Sequence, residues 1–187
     1  CSSSGEFWEA MNFAGARGLP ISFMIQNNQI ALDTFVTGQS GVETFGDKGH
    51  AMGMPAWTMD GSDPGLFYAS TAVAREFATG GGGPTLIHVE TMRGCGHAHH
   101  HDDLYLGAAS GNPPGYVDRE LLTYWAEKDP VPNHRELMIQ LGADEREIES
   151  MEAQEQASVD ASREEMEDRP RVRVQQCHSE ARTVGPK

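Results

Sequence analysis

Three short apolar segments, separated by helical patterns, constrain the fold of this chain more than any other feature. They are residues 21–25 (ISFMI), 56–60 (AWTMD) and 85–93 (TLIHVETMR). Residues 5–18 carry apolar side chains at helical spacing and end in glycine, and residues 63–80 begin with Asp-Pro and end in glycine, as helices commonly do. Helices that alternate with short buried strands favour an α/β fold with a parallel sheet and flanking helices.

Charge divides the 187-residue chain unevenly. Residues 143–169 contain eleven Asp or Glu and three Arg, a net charge of −8, which leaves −6 of the total −14 for the rest of the chain. This stretch has no Gly or Pro and predicts one long solvated helix. Its thin apolar stripe consists of Ile148, Met151, Val159 and Met166. We therefore expect a domain at 1–142, an acidic helix at 143–169, and a linker or disordered tail at 170–187.

Composition excludes two classes of partner. A net charge of −14 argues against nucleic acid, whose phosphates repel an acidic surface. The sequence has no run of eighteen apolar residues, so no membrane-spanning helix is predicted. Three widely spaced cysteines favour reduced thiols and a cytoplasmic location over a disulfide framework. The first residue is Cys and no signal peptide follows, which suggests an internal fragment.

Ligands of open parallel sheets bind beyond the carboxyl ends of the strands, so the residues there are the first candidates for a site. Asn27 and Asn28 follow the first strand, where an amide oxygen could bind a hard cation such as Mg²⁺. Asparagine is also common in turns, and a plain turn remains an alternative. Arg93 ends the third strand and could pair with a phosphate or a carboxylate, or be an ordinary surface arginine.

A histidine-rich loop follows the third strand. His97 is followed by His99–His101 and then by two aspartates. Imidazole suits transition metals, so a histidine-rich metal-binding module is one alternative. Consecutive histidines point in different directions, however, so they cannot all face one small ion without a special loop, and a solvated loop is the more ordinary interpretation. A histidine directly after a strand could instead contact a phosphate or move protons near neutral pH.

Taken together, these segments resemble a known family. Residues 1–34 (CSSSGEFWEAMNFAGARGLPISFMIQNNQIALDT) and 50–97, with GMP, MDGSD, GPTLIH and TMRGCGH, resemble the alpha subunit of the decarboxylating component of thiamine diphosphate-dependent 2-oxo acid dehydrogenases. The likeness continues weakly through 124–142 and covers about residues 1–142. It implies a thiamine diphosphate-binding fold in a chain that begins just after the family's Gly-Asp-Gly motif, whose aspartate is a Mg²⁺ ligand.

The resemblance implies roles for single residues. Asn28 matches the asparagine whose side chain ligates Mg²⁺, and Ile30 lies where a backbone carbonyl binds the same ion. Cys1 lies where a backbone group faces the cofactor diphosphate. Gln26 stands among the cofactor contacts, where some relatives have a basic residue.

Two further matches lie at the third strand. His97 matches the catalytic histidine, which lies near the cofactor and assists acyl transfer, and Arg93 matches a nearby arginine of the cofactor site.

The implied reaction is oxidative decarboxylation of a 2-oxo acid, of the pyruvate or branched-chain type, with thiamine diphosphate and Mg²⁺. The acyl group passes to a lipoyl group on an acyltransferase component. The implied partner is a beta subunit or fused beta domain, in an assembly of two alpha and two beta chains. The beta part supplies the activating glutamate, so this chain alone should be inactive. The alternatives are another thiamine diphosphate reaction, such as acetoin cleavage, and the non-catalytic metal-binding module.

Overall fold

The computed structural model describes residues 1–168, so the tail predicted from residue 170 onward lies outside the described residues. The chain divides into one unit at Cys1–Leu137 and a second that begins at Met138. The strands are Ser22–Asn27 (β1), Ile30–Ala31 (β2), Thr34–Phe35 (β3), Ala56–Asp60 (β4) and Thr85–Glu90 (β5). The helices are Gly5–Arg17 (α1), Gly46–Ala51 (α2), Pro64–Phe77 (α3), Asp102–Tyr105 (α4), Arg119–Glu127 (α5), Pro130–Gln140 (α6) and Glu145–Asp168 (α7).

Of the two long helices of the first unit, α1 begins and ends where the sequence signals it, and α3 begins where expected but ends at Phe77 rather than Gly80, because a π-helical turn at Ala78–Gly82 follows. α1 stops at Gly18, whose φ of 61° is left-handed and whose N–H donates to the carbonyls of Ala14 and Gly15. α3 begins after Asp63, whose carboxylate accepts a hydrogen bond from Leu66 N at 2.9 Å. Both predicted helices are confirmed.

The main sheet has the order β1-β5-β4, and all its pairs are parallel. Asn27 and Asp60, the last residues of β1 and β4, both pair with Glu90 at the end of β5. The carboxyl ends of the three strands therefore lie level. β2 and β3 form a separate antiparallel pair just beyond β1. The predicted α/β fold with a parallel sheet and flanking helices is confirmed.

Two hydrophobic clusters cover opposite faces of β5, because successive side chains of a strand alternate. Leu86 packs with residues of α1, β1 and α2 and their loops on one face, and Ile87 packs with β4 and α3 on the other. The first cluster consists of Met11, Ile25, Phe45, Met54 and Leu86. The second consists of Met59, Ala74, Ile87 and Val89. This double cover makes β5 the buried centre of the unit.

Several predicted boundaries shift. β1 continues to Asn27, and β5 ends at Glu90 rather than at Arg93. On the β4 side, the last hydrogen bond to this strand runs from Gly61 N to Glu90 O at 2.7 Å, just after β4 has ended. Beyond Glu90, backbone hydrogen-bond partners among the described residues remain only on the β1 side. Arg93 N then donates to Asn28 O at 3.2 Å, which ties the end of the third segment to the end of the first.

The second unit contains α7, a single helix across most of the predicted acidic stretch. Of its apolar stripe only Ile148 is buried, whereas Met151, Val159 and Met166 are exposed. Across residues 1–168, no helix combines the length and the apolar character needed to cross a membrane.

Candidate functional site

A cavity of about 620 Å³ lies at the carboxyl end of β1. Five of the six predicted site residues line it, namely Cys1, Gln26, Asn28, Ile30 and His97. The other lining residues are Ser2, Ser3, Phe7, Met24, Ile25, Asn27, Ala31, Leu32, Val36, Gln39 and Phe45. The structure thus brings together residues from both ends of a segment 97 residues long, at the sheet edge where ligands of such folds bind.

A tight turn after β1 presents Asn28 to this cavity. The side-chain oxygen of Asn27 accepts from Gln29 N at 3.1 Å, and that of Asn28 accepts from Ile30 N at 3.3 Å. Gln29 has a φ of 70°, a left-handed conformation uncommon for a residue other than glycine. Its side chain donates to Thr91 O at 3.3 Å, which helps to hold the turn. Such backbone outliers concentrate at functional sites, where the surroundings maintain them.

His97 reaches the cavity from a loop that folds back on itself. Gly96 N donates to the Asp102 carboxylate at 2.7 Å. A Cβ at Gly96 would lie 2.6 Å from the carbonyl carbon of His101, so only glycine fits this approach. His97 itself is exposed. His99–His101 form a short 3-10 turn in which the rings of His100 and His101 meet at 4.2 Å. Neither His100 nor His101 is among the described residues that line the cavity.

Arg93 lies beside the cavity rather than in its wall. Its guanidinium carbon is 4.4 Å from the centre of the Tyr105 ring, and Nη2 donates to Tyr116 Oη at 3.2 Å. Tyr105 Oη donates in turn to Arg93 O at 2.6 Å. Burial raises the pKa of Tyr105. The predicted contact between Arg93 and the cofactor stays a prediction, and the observed contacts brace the histidine loop from behind.

The guanidinium of Arg93 is not fully paired within residues 1–168. Its Nε and Nη1 are buried and have no hydrogen-bond partner there. Tyr116 Oη also donates to Leu32 O at 2.9 Å, so the same cluster reaches the turn that follows β2. The arginine and two tyrosines thereby connect the two loops that flank the cavity.

The carboxyl end of β4 does not contribute to the cavity. Asp60 there receives hydrogen bonds from Lys128 Nζ at 2.5 Å and from Ser62 Oγ at 2.6 Å. Burial alone would raise the pKa of Asp60, but these hydrogen bonds outweigh it and the pKa is lowered. This carboxylate is therefore committed to an internal contact.

Lys48 is a residue that sequence reasoning missed. Its side chain is buried, with 3% exposure, and Nζ donates to Ser2 O at 2.8 Å and to Ser2 Oγ at 3.2 Å. The ammonium lies over the rings of Phe45 and Trp8, at 4.6 and 5.7 Å from their centres. Burial lowers the pKa of Lys48. Only the flanking Gly46 and Gly49, which are typical of close backbone packing, could have signalled a buried position here.

The chemistry of the cavity wall is neutral and amphipathic. Apart from His97, its polar side chains are amides, hydroxyls and a thiol, and no Lys, Arg, Asp or Glu is among the described residues that line it. Amide and carbonyl oxygens suit a hard cation. Across the described residues, no group of three or more His, Cys, Asp or Glu is placed to hold a metal ion.

Comparison with known proteins identifies the family of this chain. The family described as dehydrogenase E1 component matches residues 1–175. The pyruvate dehydrogenase E1 component subunit alpha of Bacillus cereus is 38% identical over 148 residues, which cover 79% of this chain and 38% of that protein. The protein of the same name from Bacillus subtilis strain 168 is 41% identical over 134 residues, or 72% of this chain and 34% of that protein.

A third relative of that name, from Staphylococcus aureus strain N315, is 36% identical over 137 residues, or 73% of this chain and 35% of that protein. The chain spans little more than a third of the length of these relatives. The family match, by contrast, extends over almost the whole of this chain. The chain therefore belongs to the dehydrogenase E1 component family.

Proposed function

We propose that this chain is the thiamine diphosphate-binding part of the alpha subunit of a 2-oxo acid dehydrogenase. The observation that carries the proposal is the convergence of Cys1, Gln26, Asn28, Ile30 and His97 on one cavity. The names of the relatives favour pyruvate as the 2-oxo acid, with a branched-chain acid as the next candidate. The acyl product passes to a lipoyl group.

The donor set at the end of β1 fits Mg²⁺. This ion takes six oxygens and commonly combines one or two protein ligands with phosphate oxygens and water. The amide oxygen of Asn28 and the backbone carbonyl of Ile30 would hold it here. The turn at Gln29 fixes both residues relative to β1, because hydrogen bonds tie its backbone and side chain on both sides.

The rest of the cavity fits an amphipathic cofactor. The backbone at Cys1–Ser3 would face the diphosphate, near the amino end of α1, whose dipole favours anions. Phe7, Met24 and Phe45 give the wall apolar surface and exclude water from a bound ring system. Bound thiamine diphosphate supplies the electron sink for decarboxylation. His97 would give or take a proton beside the cofactor during acyl transfer.

The complete enzyme would need further chains. We propose a beta subunit or fused beta domain, a lipoyl-bearing acyltransferase component, and an assembly of two alpha and two beta chains in the cytoplasm. The length of the relatives, well beyond the part matched here, agrees with a site completed by other residues.

The test is an activity assay of the full-length alpha chain assembled with its beta partner. With thiamine diphosphate, Mg²⁺ and a lipoyl acceptor, we expect carbon dioxide release from pyruvate. A branched-chain 2-oxo acid and acetoin serve as competing substrates in parallel reactions. Turnover of acetoin alone would contradict the proposed reaction while retaining the cofactor, and failure to bind thiamine diphosphate would contradict both.

A further inference from the structure

We propose that Lys48 is a positioning residue of the cofactor cavity, which holds the Ser2 wall and supplies the positive charge that the cavity lining lacks. The inference rests on the proposed function. It concerns a residue outside the cavity wall whose role follows from its contacts alone.

The Lys48 ammonium lies in an unusual environment. Lysine is almost never fully buried unless it is paired, because its charge loses hydration. In the described part of the chain no carboxylate forms an ion pair with Lys48. Its partners are instead the backbone carbonyl and the hydroxyl of Ser2, together with the faces of Phe45 and Trp8. A buried cation with only neutral partners is costly, and a nearby anion would stabilise it.

Lys48 is connected to the cavity through the residues that it contacts. Ser2 and Phe45, which Lys48 contacts, both line the cavity, and Ser2 lies just ahead of α1. The ammonium therefore helps to fix the position of the short segment at Cys1–Ser3 through its hydrogen bonds to Ser2. Because the Ser2 carbonyl accepts from the ammonium, that segment keeps one backbone orientation toward the cavity.

Lys48 also brings a positive charge close to the cavity. The described cavity lining contains no lysine or arginine, and Gln26 is neutral. Lys48 is a cation in direct contact with a lining residue. A diphosphate in this cavity would feel that charge through a largely buried medium, where Coulomb interactions are stronger than in water. The ligand moiety that Lys48 would favour is thus the anionic diphosphate, and the ring end of the same ligand, whose thiazolium is itself a cation, should gain nothing from this charge.

The test compares two ligands that differ only in the phosphates. Thiamine diphosphate and thiamine are titrated calorimetrically, with Mg²⁺ present, into the assembled full-length protein. We expect Lys48→Met to weaken thiamine diphosphate binding about tenfold, or about 1.4 kcal/mol, and to change thiamine binding less than about twofold. Lys48→Arg keeps the charge and should restore affinity to within about threefold of the wild type.

Two further variants separate charge from packing. Lys48→Gln can still donate a hydrogen bond to Ser2 but carries no charge, so it should lose most of the diphosphate affinity that Lys48→Met loses. Arg75→Met removes one exposed positive charge from α3 and should bind both ligands as the wild type does. Equal losses for both ligands, or wild-type affinity in Lys48→Gln, would overturn the proposal. Failure of the wild type itself to bind thiamine diphosphate would instead overturn the proposed function.

Discussion

His97 occupies a different environment from His100 and His101, although the three are close in sequence. His97 lines the cavity, and the glycine before it is fixed by Asp102. The described rings of His100 and His101 face each other instead. The roles of these residues should differ accordingly, and the difference can be measured.

We expect His97→Ala to slow acyl transfer to the lipoyl group by about 10²- to 10⁴-fold in the assembled enzyme, the usual contribution of a general acid or base. The matched control replaces His99, His100 and His101 together by alanine and should cost less than about tenfold, as loop residues without such a role do. Steady-state turnover and cofactor titration on both variants provide the measurement. A dead triple variant beside a near-normal His97→Ala would contradict the assignment.

Some site residues could be predicted from the sequence and others could not. Asn28 and His97 follow two strands of the parallel sheet, so their place at the sheet edge follows from local pattern, although β1 is less buried than its apolar composition suggests. Lys48 and Arg93 act through partners 46 and 23 residues away in sequence, Ser2 and Tyr116. Contacts of this kind depend on how the elements pack, and periodicity carries no information about them.

At the scale of elements, α2 lies unusually close to the sheet. An added Cβ at Gly49 would lie 2.8 Å from the Ala56 Cβ and 2.9 Å from the Leu86 Cβ. These neighbours belong to β4 and β5, so relief would require the helix to move away from two strands at once. The same displacement would affect Lys48, the residue before Gly49.

We therefore expect Gly49→Ala to lower the free energy of unfolding by about 1–3 kcal/mol, as overpacking does. Gly80→Ala is the control, because no atom lies within 4 Å of its added Cβ, and its effect should stay within about 0.5 kcal/mol. Urea unfolding of both variants gives the comparison. Equal stability of the two variants would show that α2 can shift freely.

The central strand β5 carries a buried histidine. His88 is 1% exposed, its Nδ1 lies 3.1 Å from Thr58 Oγ1, and its ring packs on Phe45 at 5.1 Å. Its Nε2 is buried and has no hydrogen-bond partner among the described residues. Burial lowers the pKa of His88, although the Glu90 carboxylate opposes the shift.

This lowered pKa predicts a loss of stability in mild acid. As pH falls below the ordinary histidine pKa of about 6.5, the unfolded chain binds a proton that folded His88 does not yet accept. Stability is therefore complete above that pH and declines, by at most about 1.4 kcal/mol per pH unit, until the folded pKa is reached. The measurement is the free energy of unfolding in urea between pH 7.5 and 5, for His88→Gln and for the control His50→Gln, which changes an exposed histidine. Relative to the wild type, this free energy should depend less steeply on pH in His88→Gln and equally steeply in His50→Gln. Identical pH profiles for the two variants would refute this account.

The order of elements was largely predictable, whereas their ends were less so. The turn at Gly18 and the cap at Asp63 are local signals, and the end of α1 and the start of α3 lie where expected, whereas α3 ends at Phe77 rather than Gly80. The end of β5 depends instead on its neighbours, because β4 stops opposite Glu90 and the backbone N–H groups beyond it donate to Asn27 and Asn28 on the β1 side. Residues 91–93 retain strand-like composition and still leave the sheet.

At the scale of the whole molecule, the proposed cofactor site is one cavity, which we expect other chains to complete. Three parallel strands bring their carboxyl ends to one level, and the cavity forms beyond β1 at this edge. The matched relatives are more than twice as long as the part this chain covers, so the tests use the full-length protein assembled with its proposed partner. Cofactor binding by that assembly tests the central claim more directly than turnover, because substrate and acceptor do not enter the measurement.

The measurement is calorimetric titration of thiamine diphosphate into the assembled full-length protein, with Mg²⁺ and then with a chelator. Wild type is compared with Asn28→Ala, which removes one oxygen ligand, and with Asn28→Asp, which retains one. We expect Mg²⁺-dependent binding by the wild type, a loss of at least about tenfold, or about 1.4 kcal/mol, in Asn28→Ala, and a smaller loss in Asn28→Asp. Asn28→Ala that binds as tightly as wild type, with the same dependence on Mg²⁺, would contradict the assignment of this cavity.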